Sequence, residues 1–469
     1  MGEKETPKGG REGLLVVILA LAAAAFALAQ TAVLPGIGVL GGELGASATD
    51  MSWVMSGYLL SAAVLTPVFG RLGDMYGKRR LLIAALVLFA VSSAVAALAP
   101  NVWVLVAARI VQGAGGGIIP LCMGIISDTF SPRRRPMALG IVGATAGIGA
   151  GGGLVMGGLL IDHASWPWIF WSGTLMGVAA ALGSLLLPGD GARTPGRIDF
   201  GGLVLLTVGL VAPLFALTRT STWGWGDTRT LGLILGGLAV LVVFVLYERR
   251  TADPLVDMRV LGRPAVLTTN ITMLMFGFGM FGAFMLIPQL AQTPRAVGYG
   301  LGLNATGAGL LMLPGCLVML VAGGLAGAIA MKTGPRVTVT TGAVLASVGL
   351  AALALSHGSQ AAVIGWSTVL FGGIGLGMAA IPNIIVEACP REMSGQATGV
   401  NSLIRSLGSS LGSQIVATLL AGSVTLAGHV PTDAAYGHAF WLGAGGLALA
   451  ALASLLIPRK SSPTTVLAA

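Results

Sequence analysis

The chain has 469 residues, of which 55% are hydrophobic and 9% charged, and 26 Lys and Arg against 17 Asp and Glu give a net charge of +9. With a mean hydropathy of +0.90, this composition excludes a soluble globular protein, which cannot hide so much apolar surface. The basic excess does not require a nucleic-acid partner, because Lys and Arg collect in the cytoplasmic loops of polytopic membrane proteins.

A helix crossing a hydrocarbon core about 30 Å thick needs about 20 apolar residues. Such runs fall near 14–34, 52–69, 81–99, 102–126, 137–161, 168–187, 200–217, 231–247, 265–290, 304–330, 337–355, 361–385, 395–420 and 438–457, predicting an all-α polytopic membrane protein of fourteen spans. The first follows Lys4, Lys8 and Arg11 and contains "ALA" at 27–29, the layout of a secretory signal peptide, and reads as an uncleaved first helix. With the N-terminus inside, the inner loops hold clusters such as Arg133, Arg134 and Arg135, and Arg249, Arg250, Arg259 and Arg263, whereas the outer loops keep Arg219, Arg229 and Arg295. This asymmetry predicts that both termini are cytoplasmic, and the high Ala and Gly content suggests, by analogy, a bacterial plasma (inner) membrane.

Between the second and third spans stands "GRLGDMYGKRR", with Gly70, Arg71, Gly73, Asp74, Gly77, Lys78, Arg79 and Arg80. Its glycines permit close helix approach and positive φ, and Asp74 can accept hydrogen bonds from arginines or a helix N-terminus. The cluster reads as a gating latch at the inner ends of the helices. A solvated positive-inside loop would explain the cations but not the glycine spacing.

The fourth span contains "ARIVQGAGGG", with Arg109 and Gln112, and the fifth carries Gly149, Gly153, Gly157 and Gly158 at packing intervals. Later landmarks repeat earlier ones: the offset between Gly70 and Gly327 equals that between Gly77 and Gly334, and "SPRRRPMALG" from Ser131 is echoed by "CPREMSGQATG" from Cys389. The repeat predicts a six-helix N-terminal half over 1–187, a two-helix insertion with linkers over 188–264 and a six-helix C-terminal half over 265–469. Paired halves of this kind are transporter architecture, with a substrate site between the repeats.

On these residues the chain resembles the major facilitator superfamily. "GRLGDMYGKRR" looks like its signature loop, and the fourteen spans, Arg109, "IPQLAQ" from Ile287 and "AGLLMLPG" from Ala308 are similar to the fourteen-helix drug:proton antiporter branch. The resemblance implies a proton-coupled secondary transporter exporting amphipathic small molecules, with roles in multidrug efflux and antibiotic resistance, working as a monomer without a cofactor. The alternatives are a transporter-like sensor or scaffold, or an uptake transporter for a small metabolite. An enzyme is not expected, since no nucleotide loop, metal-ligand cluster or catalytic triad is present, and Cys122, Cys316 and Cys389 offer no disulfide framework. Where the branch has a first-helix aspartate this chain has Phe26, and where its fifth helix has proline this chain has Leu154.

No acid lies mid-span, yet two arginines do, Arg109 and Arg405. Each costs at least about 2.5–3.5 kcal/mol at a helix centre unless it faces a polar cavity or has a partner. By resemblance Arg109 aids proton transfer or holds its helix against backbone carbonyls. Arg405 shares a helix face with Asn401, Gly408, Ser409 and Gly412, and is expected to line the cavity, favouring anionic or neutral substrates. Gln30, Thr31, Asn270, Gln289, Gln292, Asn304, Asn383 and Gln414 are further candidate cavity residues. Asp50 and Asp162, at the outer ends of spans two and five, are the nearest candidates for titration, with Glu387 on the inner side.

Overall fold

The computed structural model describes residues 8–131, 135–189, 199–251, 254–256, 258–388, 394–423 and 430–458, and among these the regular elements are helices. In chain order they are α1 (Lys8–Thr31), α2 (Ile37–Glu43), α3 (Ala48–Tyr76), α4 (Lys78–Ala97), α5 (Val102–Gln112), α6 (Ile118–Thr129), α7 (Arg135–His163), α8 (Pro167–Ser184) and α9 (Phe200–Trp223). The series continues with α10 (Thr228–Glu248), α11 (Met258–Leu261), α12 (Pro264–Gln292), α13 (Ala305–Thr333), α14 (Pro335–Leu355), α15 (Gln360–Ala388), α16 (Ser394–Gly422) and α17 (Asp433–Leu455). Eleven of the described helical segments are long and apolar enough to cross a membrane. Fourteen were expected. Helices also form at the other three predicted positions, α7, α8 and α16, but these are not among the eleven. For α16 the reason is visible in its sequence, which carries Asn401, Arg405, Gln414 and a series of serines.

Local chemistry explains the turns. A single glycine joins α3 to α4 and another joins α13 to α14: Gly77 at φ 109° and Gly334 at φ 90°, values that side chains with a Cβ rarely adopt. The predicted outer turns are instead closed by side-chain caps. Ser47 and Asp50 form a reciprocal capping box at the start of α3, Asn101 caps α5, Asn304 caps α13 and Thr432 caps α17.

Helix packing repeats as well. α1 packs on α7 and α4 on α8, as α12 packs on α16 and α14 on α17, and across the groups α3 meets α16 while α7 meets α13. Those two cross-contacts are themselves related by the repeat. A large core runs through these helices. A second core joins Leu60, Val64 and Val68 of α3, Leu206, Leu210 and Leu214 of α9, Leu255 and Val256, and Val400 and Leu403 of α16, so α9 seals the α3/α16 seam. By contrast α10 presents Leu235, Leu238, Val242 and Leu246 outward, as a lipid-facing helix would.

Candidate functional site

The fourth predicted span breaks after Gln112 into a 3-10 segment, Gly113–Gly117, before α6 begins. These glycines let the break lie directly on α3: a β-carbon on Gly113 would sit 2.7 Å from Ser61 and from the Tyr58 carbonyl, and one on Gly116 2.7 Å from Thr66 Oγ1. The break follows immediately on Arg109, which is fully buried.

Arg109 Nε donates to the Val54 carbonyl at 3.1 Å, and its Nη1 donates to the Ala29 carbonyl at 3.1 Å and to Gln112 Oε1 at 2.6 Å. Its guanidinium lies 3.9 Å from the centroid of the Tyr58 ring. Gln112 in turn donates to Ser93 Oγ at 2.5 Å. Arg109 and Gln112 together thereby tie α1, α3 and α4 to α5. Hydrogen bonds from a charged donor contribute about 1.5–3 kcal/mol each, so three of them together offset the insertion cost of about 2.5–3.5 kcal/mol. Phe26 stacks on Tyr58 at a centroid distance of 5.8 Å, and the Tyr58 hydroxyl donates to the Phe26 carbonyl at 3.3 Å. The position where the resemblance expects an aspartate is therefore occupied by an apolar ring, and no acid contacts Arg109 among the described residues.

Arg405 differs from Arg109. It lies mid-way along α16 and is partly accessible, and among the described residues its guanidinium has no hydrogen-bond or ion-pair partner. Tyr58 of α3 is within electrostatic reach of both arginines. Beside it, Asn401 Nδ2 donates to Asn270 Oδ1 at 2.8 Å, while Asn270 Nδ2 and Ser410 Oγ are buried without a partner. Gln414 accepts from Ser56 Oγ at 2.9 Å, bridging α16 to α3. Gln30 and Thr31 are buried in α1 and Gln289 is half-buried in α12. The side chains of Asp74, Asn383 and Glu387 lie outside the described residues.

On the other seam, α7 is built for contact on two faces. A β-carbon on Gly149 would lie 2.7 Å from Ala27 Cβ, one on Gly153 2.6 Å from the Leu28 carbonyl, and one on Gly157 would overlap the Ala32 carbonyl, all in α1 or just beyond its end. Gly158 faces α13 instead, where a β-carbon would stand 2.5 Å from the Ala305 carbonyl oxygen. Next to it, Asp162 Oδ2 accepts from the Thr306 backbone N–H at 2.7 Å, capping the first turn of α13 across the seam.

Several expectations change. Asp50 is half of the capping box, accepting from the Ser47 hydroxyl at 2.7 Å, which gives it a local structural role. Asn304 caps α13 through Gly307 N at 2.9 Å, and Gln292 bonds within its own helix at 3.2 Å. In the signature loop, the glycines differ. Gly77 has the positive φ, a β-carbon on Gly73 would meet Leu121 at 2.5 Å, and Gly70 has open space around it inside a continuous α3. Lys78 pairs with Asp128 at 2.7 Å, and Arg79 donates from Nε to the Ser184 carbonyl at 3.3 Å and from Nη2 to the Leu185 carbonyl. These contacts join α4 to α6 and to the end of α8, so Lys78 and Arg79 brace neighbouring helices here. Arg71 and Arg80 also have partners.

Sequence reasoning missed two pairings. His357 Nε2 lies 2.8 Å from Asp433 Oδ1, joining the end of α14 to the start of α17, and Asp199 approaches Glu248 at the ends of α9 and α10. Asp199 stands at the start of α9 and Glu248 at the end of α10; neither pair has a local spacing signal, and only the helix pairing brings them together.

Comparison with known proteins adds independent findings. The profile of the Major Facilitator Superfamily matches residues 19–413. The tetracenomycin C resistance and export protein of Streptomyces glaucescens is 28% identical over 433 residues, covering 90% of this chain and 79% of that protein. A multidrug resistance protein B homolog of Mycobacterium tuberculosis is 30% identical over 386 residues, covering 81% and 70%. A probable actinorhodin transporter of Streptomyces coelicolor is 31% identical over 396 residues, covering 81% and 67%. Among solved structures, the human organic anion transporter MFSD10 aligns with a TM-score of 0.64 at 17% identity over 96% of this chain and all of that one. The xylose transporter XylE of E. coli aligns with a TM-score of 0.63 at 13% identity, over 95% and 97%. At these identities the structural matches bear on the fold alone.

Proposed function

Because this chain belongs to the Major Facilitator Superfamily, we propose that it is a drug and antibiotic exporter of the plasma membrane, moving amphipathic small organic molecules by alternating access between its two six-helix halves. The relatives named for tetracenomycin, multidrug and actinorhodin export support efflux over the sensor, scaffold and uptake readings. We assign the halves to residues 1–187 and 265–469, place both termini in the cytoplasm and take the monomer as the working unit.

The observation that carries the site is the contrast between the two arginines. Arg109 is spent on backbone carbonyls, whereas Arg405 has no hydrogen-bond or ion-pair partner among the described residues and lies one turn from Asn401, which bonds to Asn270. A fixed cation lowers the cost of desolvating a carboxylate or phenolate, and a cationic substrate would find no mid-span carboxylate to receive it. The cavity therefore favours anionic or neutral compounds. We assign proton coupling to Asp162 on geometry alone: its carboxylate accepts from Thr306 N across the α7/α13 contact, and a neutral carboxyl would be a weaker acceptor there. Gly158 and Asp162 close the predicted outer end, so outside protons would favour its opening.

The test is growth protection in a pump-deficient bacterium expressing the chain, across matched anionic, neutral and cationic antibiotics, beside Arg405→Ala and Asp162→Asn. Protection against anions that is lost with Arg405→Ala supports the assignment. Protection confined to cations contradicts it.

A further inference from the structure

The inserted helix pair carries a site that the transport reading does not use. Asp199 caps α9, and its Oδ1 accepts from Gly202 N at 2.8 Å and from the Tyr247 hydroxyl at 3.1 Å. Its other oxygen, Oδ2, is buried without a partner. Glu248, at the end of α10, is 2% exposed. Its Oε2 accepts from Val256 N at 3.1 Å, and Oε1 is likewise buried and unpartnered. Both orphan oxygens converge on Gly202, where a β-carbon would stand 2.5 Å from Asp199 Oδ2 and would overlap Glu248 Oε1.

Two buried acceptors facing one another repel if both carboxyls are ionised, and become a hydrogen bond when one proton lies between them. Neither carboxylate has a cationic partner among the described residues. Arg249 and Arg250 follow α10 and are exposed, as are Arg259 and Arg263 beside α11. The surrounding helices also carry Arg71 and Asp74 on α3, Arg405 on α16, and Arg219 and Arg229 at the far ends of α9 and α10; Arg71, Arg259 and Arg263 have partners of their own. Asp190, Arg193 and Arg197, which precede Asp199, and Asp253 and Asp257 of the linker lie outside the described residues.

We propose that Asp199 and Glu248 form a proton-binding site at the inner end of the inserted helices, with a single proton bridging Glu248 Oε1 and Asp199 Oδ2. Through Oε2 the same Glu248 holds Val256, and Leu255 and Val256 plug the core formed by α3, α9 and α16. Loss of the proton to the cytoplasm drives the two carboxylates apart and releases that plug from the seam between the halves. The site thereby couples cytoplasmic pH to the packing at the α3/α16 contact. Its existence does not depend on what the protein transports.

The test uses the full chain in lipid nanodiscs. Infrared difference spectra between acid and alkaline pH should show a protonated-carboxyl C=O band that titrates in the wild type and is missing from both Glu248→Gln and Asp199→Asn, whose amides replace the bridging proton. Tyr247→Phe removes a donor to Asp199 without touching the bridge, so its band should persist to higher pH; this variant decides the matter if the amide substitutions fail to fold. Hydrogen exchange at Val256 should accelerate as the wild-type band disappears. A band that persists in both amide variants, a wild type with no titrating band, or an unshifted band in Tyr247→Phe overturns the proposal. Loss of the band on adding Mg²⁺ or Ca²⁺ at constant pH also overturns it, in favour of a cation site.

Discussion

Gly158→Ala should open the predicted outer end of the molecule. A β-carbon there would lie 2.5 Å from the Ala305 carbonyl oxygen, 2.7 Å from its carbon and 2.8 Å from Thr306 Cα. All three are backbone atoms of the first turn of α13, or directly before it, and cannot rotate away. Restoring ordinary contact requires α7 and α13 to part by up to about 0.9 Å, and forced overpacking of this kind costs about 1–3 kcal/mol. The penalty falls on the state in which the two helices touch, so the population ratio should shift about 5–150-fold toward the open outer end. Asp162 lies one helical turn further along and would lose its bond to Thr306 N with the same movement. The assay is pulsed electron resonance on a cysteine-free background, with spin labels at Ala164 and Ser359, which are both exposed. Gly153→Ala is the control, since its new methyl would meet Leu28 and Thr31 within the same half and should lower stability without changing the distance. An unchanged distance distribution in Gly158→Ala, or an equal shift in Gly153→Ala, would refute this account of the seam.

Arg109→Lys should lose transport and thermal stability together, because one ammonium cannot reach Val54, Ala29 and Gln112 in the planar arrangement that the guanidinium uses; a melting temperature equal to wild type would contradict the clamp. Gly77→Ala should destabilise by about 1–3 kcal/mol, the penalty for a β-carbon at φ 109° and ψ 126°, measured by thermal unfolding in detergent. Asp128→Ala should change stability by less than about 1 kcal/mol, since its pair with Lys78 is half exposed on the acid's side. A large loss would mean that the pair does more than brace the surface.

The helices were legible because apolar length and Lys/Arg punctuation are local signals. "GRLGDMYGKRR" announced a tight turn, but only the backbone distinguishes Gly77, which needs its positive φ, from Gly70, which has room to spare. The count of crossings was harder to read, since α16 trades apolar residues for the polar ones that face the seam. Arg109 and Arg405 look alike in sequence, both cations in apolar runs. Their difference comes from carbonyls on α1 and α3, which no spacing rule brings near Arg109. Asp50 and Asp162 were equally ambiguous. One bonds to a residue three positions away and the other to a residue 144 positions away, so one is a local cap and the other joins α7 to α13.

The central claim is an export site built on Arg405. The most direct test is accumulation of a fluorescent organic anion in everted membrane vesicles carrying the wild type or Arg405→Ala, with a cationic dye in parallel. The wild type should concentrate the anion until a protonophore is added, and Arg405→Ala, folded and equally abundant, should not. Equal anion accumulation by both proteins, or accumulation of the cation alone, would contradict it.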